Sequence, residues 1–289
     1  MTIPPPDGSR DRRIEDLSNL WIIHPAGRAL LPGFVARGIS ANAVSVAGLV
    51  IGAGSALAYA HWDDWRFALL GLVLSTGWLI ADGLDGMIAR ATGTASPLGR
   101  ALDGLCDHGV FALLYVTLAW SVGTPGGWAL AILAGFAHAV QSNLYEGERA
   151  RYHRRCQARP ITPPYPSANP LVRLYDHVAG TLDRYAAPFD AAMMRSTEPD
   201  ALAATYADAA AAPMRLMRLL TANARVAAIF LACLIGSPRL FWWVEIVPMT
   251  IILLTGLIWH RAVESRLIRA SGISPRHARP STPSSSQRT

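Results

Sequence analysis

The sequence predicts an all-α integral membrane protein with about six transmembrane helices and an N-terminal interfacial amphipathic helix. Three observations carry that fold class. Of 289 residues, 52% are hydrophobic and only 16% charged, which is more apolar than a soluble domain of this length needs to be. Apolar runs at about 42–60, 65–81, 101–123, 126–144, 222–241 and 242–260 come close to the ~20 residues an α-helix needs to cross the hydrocarbon core. The basic residues, 26 arginines and no lysine, fall mainly between those runs.

The arginines also give an orientation. Segments read as inside hold Arg10, Arg12, Arg13, Arg28 and Arg37, then Arg90 and Arg100, then ten arginines from Arg149 to Arg218, then Arg261 to Arg279. The alternate loops, HWDDWR, SVGTPGG and GSPRL, hold only Arg66 and Arg239. Positive charge on the inner side places both termini at the cytoplasmic face of a cell inner membrane. A net charge of +6 suits attraction to an anionic leaflet. The arginines form no single patch interleaved with aromatics, so no nucleic-acid partner is expected. Cys106, Cys156 and Cys233 have neither metal-binding nor redox spacing, and no disulfide framework follows. The first 20 residues are polar, with Asp7, Asp11, Glu15 and Asp16 among arginines, so a cleaved signal peptide is not expected.

Taken in order, residues 1–38 read as an N-terminal cytoplasmic and interfacial segment. Within 12–36, Ile14, Leu17, Leu20, Trp21, Ile22, Leu30 and Leu31 lie among charges, as in a helix lying along the membrane surface. Residues 39–264 read as the transmembrane domain, interrupted by a cytoplasmic insertion at 145–218. In that insertion Leu171, Leu174, Val178, Leu182 and Tyr185 recur at helical spacing. Residues 265–289 are basic and rich in Ser and Pro, a composition that predicts a disordered tail.

The chemistry is concentrated in ADGLDGMIARATGTASPLGRALDGLCDHG, where Asp82, Asp85, Asp103 and Asp107 sit at the edges of two apolar runs. Carboxylates at membrane depth are costly unless paired, hydrated or bound to a cation. Gly93, Thr94, Ser96 and Pro97 mark a loop between two helix ends. Asp82 and Asp85 are three apart and Asp103 and Asp107 four apart, so each pair projects from one face of its helix. Facing helices can gather the four around a common volume. Mg²⁺ takes oxygen ligands and shares its shell between one or two carboxylates, waters and phosphates, so four carboxylates suit two ions able to clamp a pyrophosphate for in-line displacement at phosphorus. Gly83, Gly86, Ala89, Gly99 and Gly104 clear side chains from the surrounding walls. Arg90, one turn beyond Gly86, is placed to meet phosphate.

These residues resemble a known family. Asp82, Asp85, Gly86, Ala89, Arg90, Gly99, Asp103 and Asp107 match every position of the D-x2-D-G-x2-A-R-x8-G-x3-D-x3-D signature of the CDP-alcohol phosphotransferases, and the span pattern over about 36–260, apart from the 145–218 insertion, is similar as well. The resemblance implies attack by an acceptor hydroxyl on the phosphate carried by a CDP-alcohol, releasing CMP. It implies Asp82, Asp85 and Asp103 as ligands of Mg²⁺ or Mn²⁺, with Asp107 as general base near the second metal. A base beside a cation is chemically sensible, because the positive field lowers the pKa of the hydroxyl whose proton the carboxylate accepts. Gly86, Ala89, Arg90 and Gly99 would line the CDP pocket, and a homodimer is implied. The family often places Pro-Asn and then Ser or Thr at the start of the first span. This chain has Ala41 in place of the proline but keeps Asn42 and Ser45, which could contact the nucleotide; capping of the first span by Ser40 or Asn42 is the alternative.

Other polar residues read more plainly. His108 reads as a packing or hydrogen-bonding residue and Cys106 as core. Asp63 and Asp64 between Trp62 and Trp65, like Trp242 and Trp243, read as belts at the membrane interface. On the fourth run His138, Gln141, Ser142, Tyr145, Glu148, Arg149 and Tyr152 share a helical face. It is either an acceptor site, with His138, Gln141, Tyr145 and Arg149 as the contacts, or a polar seam between helices. Arg149, Arg151, Arg154 and Arg155 suit a phosphorylated acceptor or a lipid-phosphate anchor equally.

The function expected is transfer of a substituted phosphate, as phosphatidyl from a lipid donor such as CDP-diacylglycerol, to a small polar alcohol in phospholipid synthesis. The alternatives are transfer of a CDP-linked head group to diacylglycerol, and a non-catalytic membrane cation carrier. The glycines and Arg90 argue against the carrier, because ion binding alone needs no cleared nucleotide pocket.

Overall fold

The structure, a computed structural model, describes residues 11–159 and 187–271, and those residues contain helices and no strand. The recurring apolar positions at 171–185, residues 1–10 and the tail beyond 271 lie outside the described residues. The helices are α1 (His24–Ala36), α2 (Ala41–Tyr59), α3 (Trp65–Thr92), α4 (Pro97–Val122) and α5 (Pro125–Cys156), then α6 within 187–195, and finally α7 (Pro199–Met217), α8 (Ala222–Leu234), α9 (Arg239–Val244) and α10 (Thr250–Ala270). Four helices are long and apolar enough to cross a membrane: Ala41–Tyr59, Trp65–Thr92, Pro97–Val122 and the continuous Arg239–Ala270. The pair Pro199–Leu220 and Ala222–Leu234, bent by 43°, makes a fifth if taken as one span. Against the six runs of the sequence, α5 is long enough, but His138, Gln141, Ser142 and Asn143 dilute its apolar stretch.

Cα packing divides the chain into two units, Met1–Ala150 with Ala211–Trp259 and Arg151–Ala210 with His260–Thr289. In the first, local signals set the helix ends. Ser40 caps α2 by accepting from Ala43 N at 3.2 Å, so Ser40 and not Asn42 is the cap. Asp64, expected only as a solvated interface charge, caps α3 by accepting from Arg66 N at 2.9 Å. At 28 residues α3 extends about 42 Å at 1.5 Å per residue, well beyond the ~30 Å hydrocarbon thickness. Asp82 and Asp85 therefore sit on regular helix rather than at a fraying end. Gly93 ends α3 in the left-handed region at φ 66°. Ser96 then opens α4, accepting from Gly99 N at 3.0 Å, with Pro97 in the first turn.

α2 packs against both α3 and α4. Its Gly52 lies so close to Val110 that a Cβ there would come within 2.3 Å of the valine side chain, and on α3 a Cβ at Gly71 would come within 2.7 Å of the Tyr59 ring. Val110, Leu114 and Leu118 of α4 are fully buried with Tyr59, Ile229 and Phe241. Trp242 belongs to this core at 0% exposure, which corrects its reading as an interface residue; its neighbour Trp243 is exposed. The two tryptophans leave α9 in different directions, about 100° apart for helix neighbours, a distinction that adjacency in sequence hides. Before α2, a π-helical turn at Asn19–Ile23 leads into α1, and Leu17, Trp21, Ile22, Leu30 and Val35 stay exposed, the apolar surface an interfacial helix needs.

The second unit is organised around Arg155, which is fully buried. It donates Nε to Asp190 Oδ1 at 2.8 Å and Nη2 to Asp190 Oδ2 at 3.0 Å, and its Nη1 bonds Glu264. Arg154 adds a bond to Asp190 at 3.0 Å. Burial pushes the Asp190 carboxyl up, but the bonds and charges of Arg155 and Arg154 outweigh it and hold the group below its ordinary value.

Two outcomes follow for stability. Gly52→Ala destabilises the first unit by about 1–3 kcal/mol through overpacking, and adding Val110→Ala restores most of it, as read from thermal unfolding in detergent. Because Asp190 is depressed on folding, its contribution is complete above its unfolded value and is lost as pH falls through the lower folded one. Asp190→Asn therefore costs about 3 kcal/mol or more at neutral pH by leaving Arg155 short of a buried partner. It also flattens the acid limb of a stability–pH curve below about pH 4.

Candidate functional site

The two carboxylate-bearing helix ends meet across the turn at Gly93–Ser96. Oxygens of Asp82, Asp103 and Asp107 lie within 4.8 Å of one another. Asp85, one turn from Asp82 on α3, carries the fourth carboxylate of the group. Two unit negative charges about 4 Å apart repel by about 4 kcal/mol at an effective dielectric of about 20, so this arrangement calls for a shared proton or a cation. The donor set is oxygen only and the convergence is tight, which fits a hard divalent ion.

Neighbours hold the carboxylates in place. Ser45, buried on α2, donates to Asp85 Oδ2 at 2.5 Å. Trp78, one helical turn before Asp82 and 2% exposed, donates Nε1 to Asp107 Oδ1 at 3.1 Å. The Trp78 ring is itself set edge-on against Phe111. Each bond fixes a side chain and supports its charge. Asn42 is exposed and lies against Gly99, where a Cβ would meet Asn42 Oδ1 at 3.4 Å. A Cβ at Gly86 would meet the Arg90 guanidinium at 3.2 Å, so the glycine leaves room for that arginine to lie along the helix.

Asp82, Asp85, Gly86, Arg90, Asp103 and Asp107 line one cavity of about 440 Å³, and His138, Tyr145 and Arg149 line it too. Ser45, Asn42, Ala89 and Gly99 lie outside its lining, the first behind Asp85. Residues 39–149 match the CDP-alcohol phosphatidyltransferase family. No curated protein matches the chain. The matched region thus contains the aspartates and most of α5, whereas the cavity also takes walls from outside it, including Asn19, Thr221, Asn223 and Arg225.

Gln141 differs from its expected place as an acceptor contact. It is 1% exposed and lies in a buried network, donating Nε2 to the Glu245 carbonyl at 2.8 Å and to Thr250 Oγ1 at 3.0 Å. It accepts from Arg225 Nη2 at 2.9 Å, and Arg225 also donates Nε to Glu245 Oε1 at 2.8 Å. The polar face of α5 is therefore divided. Gln141 serves a seam with α8 and the Glu245 π turn, while Ser142, Tyr145 and Arg149 face the cavity. Arg225 and Glu245 were missed as site neighbours, yet Glu245 is the lone acid of its apolar run and Arg225 shares its run only with Arg239 at the far end, the signal that a partner is buried nearby. His108 bonds the Gly104 carbonyl one turn back at 2.7 Å, and Cys106 is buried, both as read from the sequence.

Mn²⁺ binding to the purified protein, followed by electron paramagnetic resonance, tests the cluster directly. Asp82→Asn, Asp103→Asn and Asp107→Asn each weaken binding severely, and Trp78→Phe or Ser45→Ala weakens it about 10–100-fold through loss of an orienting bond.

Proposed function

We propose that the protein is a divalent-metal-dependent transferase of phospholipid synthesis. It moves a phosphatidyl group from CDP-diacylglycerol or a similar CDP-alcohol to the hydroxyl of a small polar alcohol. The observation that carries this reading is the convergence of Asp82, Asp103 and Asp107 oxygens within 4.8 Å, in a cavity that also holds Gly86 and Arg90 at one side and the polar face of α5 at the other. Asp82, Asp85, Asp103 and Asp107 would hold Mg²⁺ or Mn²⁺, two ions by the number of carboxylates. The chemistry such ions supply is neutralisation of diphosphate charge and a lowered pKa for a nearby hydroxyl.

This chain's own residues then have separate tasks. Gly86, Ala89, Arg90, Gly99 and Asn42 bind the CDP moiety, Arg90 by charge and the small residues by leaving backbone open to approach. Ser45 orients Asp85. Asp107, with its rotamer fixed by Trp78, takes the proton from the acceptor hydroxyl. As the acceptor oxygen forms its bond to the phosphatidyl phosphorus, the bond from that phosphorus to the CMP oxygen breaks and its electron pair leaves with CMP. His138, Tyr145 and Arg149 stand on the acceptor side. The arginine distribution supports a cavity open to the cytoplasm in an inner membrane.

Purified protein supplied with radiolabelled CDP-diacylglycerol, Mg²⁺ or Mn²⁺ and a panel of small alcohols releases CMP with at least one acceptor, and EDTA abolishes the release. Asp107→Asn lowers the rate by about 10²–10⁴-fold, the usual contribution of a general base. CMP appearing only from a CDP-linked head group with diacylglycerol would reverse the direction of transfer. Metal binding with no CMP from either donor would leave a cation carrier.

A further inference from the structure

The aspartates leave the acceptor unnamed, but the wall opposite them narrows its chemistry. A phosphorylated acceptor needs a cation able to turn toward it. Arg149 is engaged by two carboxylates: Nη1 lies 3.3 Å from Glu146 Oε1 and Nη2 lies 3.6 Å from Glu15 Oε2. Arg225 is 1% exposed; it holds Glu245 and Gln141, and its remaining Nη bonds the Leu220 carbonyl. Both arginines on this side are thus balanced inside the protein.

Beside them the cavity is lined by neutral polar groups and by the Glu146 carboxylate itself. Ser142 and Tyr145, which carry hydroxyls, line it from α5; Thr221 and Asn223 line it from the start of α8, where they donate to Asp16, Ser18 and Asn19. Tyr145 is 2% exposed, so its ring is packed against the protein. Hydroxyls and amides both donate and accept, which matches the alternating needs of alcohol groups. A phosphate would have to displace Glu146 and Glu15 from Arg149 and would leave two carboxylates beside its own negative charge.

We propose that the acceptor is an uncharged polyhydroxy alcohol, and that Glu15 and Glu146, by holding Arg149, reject its phosphorylated counterpart. Selection here works through a penalty on the wrong substrate as much as through contacts with the right one. The inference rests on the transferase reading above.

The experiment compares myo-inositol with inositol 1-phosphate, and glycerol with glycerol 3-phosphate, as acceptors for CDP-diacylglycerol in detergent-purified protein. The expected result is a kcat/KM at least tenfold higher for the uncharged member of a pair. In Glu146→Gln, which releases one hold on Arg149, the ratio of phosphorylated to uncharged kcat/KM rises about tenfold, mainly through a lower KM for the phosphorylated acceptor. Glu146→Asp, which keeps the charge, retains the wild-type preference; the conservative variant thus separates charge from packing. Turnover confined to phosphorylated acceptors would overturn this inference and leave the transferase reading standing. No CMP from any acceptor, while Mn²⁺ still binds, would overturn both.

Discussion

Four carboxylates converging between two helices repel one another, and the local build of the domain holds them together against that repulsion. α3 carries Asp82 and Asp85 on unbroken helix, because the chain stays helical through Thr92 and stops only at a left-handed Gly93. The turn that follows is short and capped by Ser96, so α4 begins close by and presents Asp103 and Asp107 in the same region. A longer or looser connection would let the two helix ends separate and relax the charges. Repulsion that the fold does not relieve remains available as affinity for a cation.

Close packing of α2 serves the same end. Gly52 lets α2 approach Val110 of α4 at a distance that no side chain would allow. That approach brings Ser45, two turns earlier on α2, to Asp85 at 2.5 Å. Trp78 performs the equivalent task for Asp107 from within α3. The orienting groups are thus buried side chains on helices rather than residues of loops, and their positions are set by core packing. A change in the core that shifts α2 is therefore a change at Asp85.

The aspartate half of the site was legible in the sequence because its information is local. Spacings of three and four along a helix fix which side chains share a face, and a run of small residues marks where the walls are thin. The Gly93–Pro97 turn was readable for the same reason. The count of spans was less legible. α5 carries His138, Gln141, Ser142 and Asn143 in its second half, and hydropathy alone does not distinguish a helix with a polar seam from one outside the membrane. Trp242 and Trp243 could not be separated, since burial depends on which side of α9 joins the core of Val110, Leu114 and Leu118. Gln141 was read with Tyr145 because they share a helical face one turn apart. Only the positions of Arg225 and Glu245, more than 80 residues away in the chain, assign it to a different partner.

The N-terminal segment acquires a second role beyond contact with the membrane surface. Arg218 donates to the Glu15 carbonyl at 3.0 Å, Thr221 to Asp16 Oδ2 at 2.7 Å, and Asn223 to both Ser18 Oγ and Asn19 Oδ1 at 2.7 Å. These bonds tie residues 15–19 to the stretch between α7 and α8, and Asn19 and His24 enter the cavity wall. Glu15, held this way, is the carboxylate that reaches Arg149 from outside α5. In the proposed transferase, the charge presented to an acceptor would therefore be decided by chain segments on both sides of the 39–149 match. On that reading a fixed set of aspartates would accept the proton and gather the cations for many alcohols, and which alcohol reaches them would depend on the less regular segments that complete the cavity wall.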